Sequence, residues 1–226
     1  MNEGFTKGIA FILEGDTEKE FYLSFLTFLC AKHGVTLEKQ INCSNPDIIY
    51  KVNTTKEIFL IKFHVVNTIT QMPQSARWFT TQCYDKNKSI PDWSVFLCYD
   101  TDDYKNDITK FNEGDWAILK NSLKKKANRV IDIAAAADIE DVMLTDLLGI
   151  SNFLGGLDDL TIPTGRKGKS KMKKLYRRAG QTYHEGTRAR PMIDSLNMQC
   201  IMDNSIVPLR EIEKILFEFE FSAPKT

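Results

Sequence analysis

Apolar positions along the chain form short unbroken runs that alternate with stretches of helical spacing. Residues 8–13 are continuously apolar, with β-branched and aromatic side chains, which predicts a buried strand. This run leads straight into Glu14-Gly15-Asp16-Thr17-Glu18. Asp16 and Thr17 are good helix N-caps, and Glu18 and Glu20 suit a first helical turn. Phe21, Tyr22, Phe25, Leu26, Phe28 and Leu29 then recur at helical spacing up to a stop at Gly34. Residues 37–43 and 48–52 alternate and are separated by Asn45-Pro46, which predicts two short edge strands. The runs at 58–66 and 93–99 repeat the buried-strand pattern, with a helix expected over 68–84, where Pro73 falls near its start, and a loop over 85–91. A helix over 116–127, with Ile118, Leu119 and Leu123 on one face, precedes a strand at 130–136 and a helix from about 138 to 148. A last helix over 207–219 carries Ile212, Ile215 and Leu216 on one face.

Strands alternating with helices imply βαβ units. The expected fold class is therefore α/β, a Rossmann-like arrangement with a mostly parallel central sheet flanked by helices and a C-terminal helical extension. One domain is expected over 1–226, with its core at about 8–150 and a basic, helical extension over about 151–226. Functional residues in such sheets sit beyond the carboxyl ends of strands. Glu14, Asp100 and Glu140 all follow predicted strand ends.

Charge bears on this picture only through its distribution, because the 30 basic and 30 acidic residues cancel. Eight cations, Arg166, Lys167, Lys169, Lys171, Lys173, Lys174, Arg177 and Arg178, crowd into one segment. Such a cluster can hold phosphates by counterion release, with Tyr176 and Tyr183 placed to stack on bases; a solvated basic helix is the plainer alternative. The same segment contains Gly168-Lys169-Ser170, but the first glycine of a P-loop would fall at Pro163. Cys30, Cys43, Cys83, Cys98 and Cys200 are dispersed without a CxxC pair, which argues against a disulfide framework or a zinc cluster. His33, His64 and His184 are equally scattered, and His184-Glu185 could reach a site rim. There is no leader-like start and no apolar stretch near the ~18 residues of a membrane helix, so a cytoplasmic location is expected.

Asp100-Thr101-Asp102 directly after a buried strand is a pair of hard oxygen ligands suited to Mg²⁺ or Mn²⁺. An EF-hand is excluded, since Tyr104 and Phe111 occupy positions that need acids. A strand ending in Glu14-Gly15 followed by Asp16-Thr17-Glu18, a later strand ending in Asp100-Thr101-Asp102, and Ile139-Glu140 opening a helix with Leu144 beyond it together resemble TOPRIM domains. The likeness covers about residues 8–150 and is to small stand-alone TOPRIM proteins of the RloB-like kind, related to the TOPRIM domain of OLD-family nucleases. Asp102 is followed by Asp103-Tyr104 rather than the pattern of topoisomerases and primases, which favours the nuclease-like branch.

That resemblance implies Glu14 as general acid/base or metal ligand, Asp100 and Asp102 as metal ligands, Glu140 as a further acidic ligand, and Glu18 and Asp103 in support. It implies a metal-dependent nuclease cutting DNA or RNA, with a role in phage defence, Mg²⁺ or Mn²⁺ as cofactor and nucleic acid as partner. A nucleic-acid-binding or regulatory subunit working with a partner ATPase is one alternative. A hydrolase of a small phosphorylated molecule is another.

Overall fold

Every side chain from Gly8 to Leu13 is buried on strand β1 (Lys7–Leu13), as a strand covered on both faces requires. Strand β1 accordingly lies inside the sheet. The chain is described over residues 4–41, 48–101 and 113–217 in a computed structural model. Among these residues one six-stranded sheet forms in the order β2-β3-β4-β1-β5-β6, where β2 is Leu37–Ile41, β3 Ile48–Asn53, β4 Ile58–Val65, β5 Asp92–Asp100 and β6 Arg129–Ala135. Strands β4, β1, β5 and β6 run parallel, while β2 and β3 form an antiparallel edge. The fold is thus α/β with a mostly parallel, Rossmann-like sheet.

Alternation along β1 and β5 divides the core. Ile9, Phe11, Leu13, Phe96 and Cys98 face one layer, and Ala10, Ile12, Val95, Leu97 and Tyr99 face the other. Helix α1 (Asp16–Lys32) fills the first layer with Phe21, Tyr22, Phe25 and Leu29. Its N-cap is Gly15, with no side-chain cap, rather than the expected Asp16 or Thr17. The Thr17 hydroxyl is engaged elsewhere, accepting from the Gly186 amide at 2.8 Å.

The helix expected over 68–84 is broken into a 3₁₀ turn at Ile69–Gln74, α2 (Ser75–Trp78) and a π-helical stretch at Phe79–Tyr84. Pro73, which lacks an N–H, lies in the 3₁₀ turn. Met72, Phe79 and Cys83 from this segment, with Trp116, Leu119 and Leu123 of α3 (Glu113–Lys124), cover the second layer. The helix expected from about 138 is likewise split, into α4 (Ile139–Met143), a 3₁₀ turn and α5 (Leu147–Phe153). Asp146 marks the break, because its carboxylate caps α5 through the Gly149 amide at 3.1 Å.

The C-terminal part adds α6 (Gly168–Arg178), α7 (Arg190–Ile193), α8 (Met198–Asn204) and α9 (Arg210–Phe217). Met172, Leu175, Ile193, Ile201 and Ile212 join the same apolar cluster as Phe11 and Phe21, so the extension packs on the α1 layer of the core. No helix among the described residues is long and apolar enough to cross a membrane.

The start of α6 is pinned to the start of α4. Asp141 accepts from the Gly168 amide at 2.7 Å, and Asp138 accepts from the Lys169 amide at 2.9 Å. Asp138 also caps its own helix through the Asp141 amide at 3.0 Å. A Cβ at position 168 would overlap the Asp141 backbone nitrogen and the Asp138 carboxylate. Alanine is the better helix former in isolation, so Gly168→Ala tests the contact alone. It should cost roughly 1–3 kcal/mol, read as a lower Tm in thermal unfolding; an unchanged or raised Tm would show that the two helix starts do not touch.

Candidate functional site

The register of the sheet determines which acids meet. Leu13, the last residue of β1, lies beside Cys98, so Glu14 emerges near Asp100 at the end of β5. The Asp100 amide donates to Glu14 Oε2 at 3.3 Å. Asp100 continues the Phe96–Cys98 row, which faces α1, and Glu18 sits in the first turn of that helix. The Glu18 carboxylate folds back over Gly15, where a Cβ would lie 2.8 Å from Glu18 Oε2. A side chain at residue 15 would therefore displace the Glu18 carboxylate from this position.

Asp100 pairs with Ala135 at the end of β6, and the chain then turns through Ala137, which has a left-handed φ of 65°. Non-glycine residues adopt that region at a cost and mostly where surrounding contacts enforce it. Here the Ala137 amide donates to the buried Thr101 hydroxyl at 3.0 Å, and the Thr101 amide donates to the Ala135 carbonyl at 3.0 Å. The turn delivers Asp138 and Glu140 to the same end of the sheet. Tyr183 then donates its hydroxyl to Glu140 Oε1 at 2.9 Å, in a buried contact.

The result is a cleft of about 560 Å³ lined by Glu14, Glu18, Asp100, Asp138 and Glu140, with Lys167 and Lys169 on its rim. Glu18, Asp138 and Glu140 are buried. Burial, with Glu14, Asp138 and Asp16 nearby, pushes the Glu18 carboxyl up to about 7. Burial and Asp138 push Glu140 up to about 7, against the pull of the Tyr183 hydrogen bond. Burial first, then Glu18 and Glu14, drives Asp100 well above the usual carboxylate range. Asp100 Oδ1 is shut off from solvent and, among the described residues, has no hydrogen-bond partner.

Glu14, Glu18 and Asp100 each offer a carboxylate oxygen, all within 4.8 Å of one another. A hard divalent cation takes such oxygen ligands. The residues therefore fit Mg²⁺ or Mn²⁺. Glu18, expected only in support, stands in the central triad, whereas Glu140 is committed to Tyr183. Asp102 and Asp103 lie outside the described residues.

Sequence reasoning missed Asp138 as a cleft residue; its only signal was a cap-type residue before α4. It gave Tyr183 a base-stacking role and missed its bond to Glu140, since the distance between the two along the chain left no local trace. Glu185 does line the rim, as its neighbourhood suggested, while His184 is not among the lining residues.

The cationic segment does not form the expected stripe. Lys169 Nζ lies 2.5 Å and Lys173 Nζ 3.6 Å from Glu185, and Lys171 Nζ lies 2.7 Å from Asp141. Lys174 donates to the Thr164 carbonyl at 2.7 Å, and Arg178 pairs with Asp159 at 3.2 Å. Arg166 and Arg177 are exposed. Tyr176 and Tyr183 are both buried, against each other with ring centroids 5.2 Å apart, so neither is a platform for bases.

No protein-family model matches the chain. No curated protein matches it either. Similar solved structures include a futalosine hydrolase mutant of Helicobacter pylori strain 26695, at 7% identity over 58% of this chain and 67% of that one, TM-score 0.25. They include the 5'-methylthioadenosine/S-adenosyl homocysteine nucleosidase of Campylobacter jejuni, at 10% identity over 93% and 99%, TM-score 0.29. Isoform 2 of uridine phosphorylase from Schistosoma mansoni is a third, at 14% identity over 84% and 70%, TM-score 0.23. TM-scores this low lend none of these reactions to the present chain. The nuclease expected from the sequence is nevertheless corrected on this chain's own contacts: the segment meant to grip a polymer is largely paired with acids and carbonyls of its own chain.

The raised carboxyls carry a pH signature in the metal-free protein. A carboxyl raised from 4.5 to about 7 favours the folded state fully below its unfolded value, and that contribution is lost as pH climbs through 7. Glu18→Gln removes the titration. In EDTA, its Tm minus that of the wild type should rise between pH 5 and 7.5; an offset that stays constant across this window would show that Glu18 carries no buried-charge cost.

Proposed function

We propose that this chain is a divalent-cation-dependent hydrolase of a small phosphorylated molecule, with the cation held by Glu14, Glu18 and Asp100. The observation that carries this reading is the convergence of those three carboxylates, within 4.8 Å of one another, at the carboxyl end of the sheet. The TOPRIM-like pattern at Glu14-Gly15 and Asp100 supports the same cation. The size of the cleft, about 560 Å³, suits a small molecule, for which sites run roughly 300–1,000 Å³.

When bound, Mg²⁺ or Mn²⁺ would supply Lewis-acid polarisation of a phosphoryl oxygen. The chain's own groups account for the rest of the site. Lys167 and Lys169, at the rim near the start of α6, offer positive charge to phosphate oxygens. Lys169 is drawn toward Glu185, and a phosphate entering the cleft competes with that carboxylate. Glu140 is oriented by Tyr183, so its carboxyl group can exchange a proton with an attacking water or a leaving oxygen. Tyr183 acts through Glu140 and is a positioning residue.

Metal-dependent release of phosphate from a panel of sugar phosphates and nucleotides, with Mg²⁺, Mn²⁺ or EDTA, tests the reading. Wild-type protein should release phosphate only with the cation, and Asp100→Asn should lower the rate by at least about 100-fold, as loss of a metal-site carboxylate that also tunes the transition state does. Equal rates in EDTA, or an active Asp100→Asn protein, would contradict it. Tyr183→Phe should retain the cation and lower the rate by about tenfold, with its largest effect on kcat rather than KM; an effect on KM alone would remove Tyr183 from the mechanism.

A further inference from the structure

A second cavity, about 510 Å³, adjoins the carboxylate cleft, and Asn67 lines both. Its lining differs sharply in chemistry. Among the described residues no carboxylate lines it; the walls are His64 and Trp78, whose rings stack at 4.5 Å with 8° between planes, and the amides of Asn67, Gln71 and Gln74, with Arg77 beside them. Gln71, Gln74 and Arg77 are exposed. Among the described residues, the side-chain polar groups of these three residues and of Asn67 enter no hydrogen bond.

Topology puts this cavity where a ligand of an α/β sheet belongs. From β1 the chain passes to α1 on one face, and from the neighbouring β4 it passes through Met72 and Phe79 to the other face. Diverging connections at adjacent carboxyl ends open a crevice. Asn67, just past β4, sits at that crevice with a left-handed φ of 65°, a strained conformation that places its amide between the two cavities and that asparagine tolerates better than most residues.

The His64–Trp78 pair, in which each ring covers one face of the other, combined with the exposed carboxamides beside it matches one chemical class. A heteroaromatic ring stacks on indole, and its ring nitrogens, carbonyls and amino groups pair with carboxamides, which donate and accept at once. We propose that the cavity at His64, Trp78, Gln71 and Gln74 is a nucleobase subsite, so that the small phosphorylated substrate is a nucleotide with its phosphate in the carboxylate cleft and its ribose passing Asn67. This rests on the function proposed above only for the phosphate end; the base end stands on its own residues. The buried Lys62, which donates to the Gln82 carbonyl at 2.8 Å beneath this wall, fixes the chain that carries Trp78 without entering the cavity.

The test compares the four 5'-ribonucleoside monophosphates with ribose 5-phosphate by calorimetry, in Mn²⁺, on the full chain. At least one nucleotide should bind about tenfold or more tightly than ribose 5-phosphate, the scale of one base stacked on an aromatic side chain. The Gln71→Ala/Gln74→Ala protein, altered only at exposed positions, should bring that preference to within about twofold. Trp78→Phe, which keeps a stacking ring, should retain more of it than Trp78→Ala. All four nucleotides binding like ribose 5-phosphate would overturn the subsite while leaving the phosphate reading intact. If Mn²⁺ itself fails to bind, the phosphate reading falls, and the subsite is then decided by the free nucleosides in EDTA. Quenching of tryptophan fluorescence that Trp78→Phe abolishes would uphold it, and no quenching by any nucleoside would overturn it.

Discussion

Carboxylates buried side by side repel one another and lose hydration together, and each of these effects favours the neutral form. At the carboxyl end of this sheet, Glu18, Asp138 and Glu140 are buried within one cleft, with Glu14 and Asp100 beside them. Such a cluster is unfavourable for the fold unless something positive offsets it. The lysines at the rim offset it only in part, since Lys169 is paired with Glu185. A divalent cation among Glu14, Glu18 and Asp100 meets the need with oxygen ligands of the right kind.

Much of the surrounding structure holds those acids in place. The parallel register sets Glu14 against Asp100, and glycine at 15 lets Glu18 fold inward. Thr101 holds the strained Ala137 turn that brings in Asp138 and Glu140. Asp138 joins two helix starts through its two carboxylate oxygens, tying the C-terminal extension to the cleft. Tyr183 closes the same connection by bonding Glu140. The extension is thus part of the site as well as part of the core.

The sheet was legible in the sequence because buried parallel strands read as unbroken apolar runs, and the runs before Glu14 and Asp100 end where the strands end. The edge pair was legible through its alternation. The helix over 68–84 was not, because its apolar spacing does not reveal that Pro73 and the Phe79–Tyr84 stretch break the regular ladder. Glu14, Asp100 and Glu140 were visible as acids at strand ends. Asp138 was hidden behind its role as a cap, and Tyr183 is a contact made across 43 residues, which no local pattern encodes. The basic segment misled for a related reason: spacing shows where cations cluster along the chain but not that Glu185, Asp141 and Asp159 fold back to meet them.

The most direct test is crystallographic. A structure of the protein grown with Mn²⁺, with anomalous data at the manganese edge, should show one peak bonded to carboxylate oxygens of Glu14, Glu18 and Asp100. A cleft with no such peak, or with a lysine ammonium seated among the three carboxylates instead, would contradict the account.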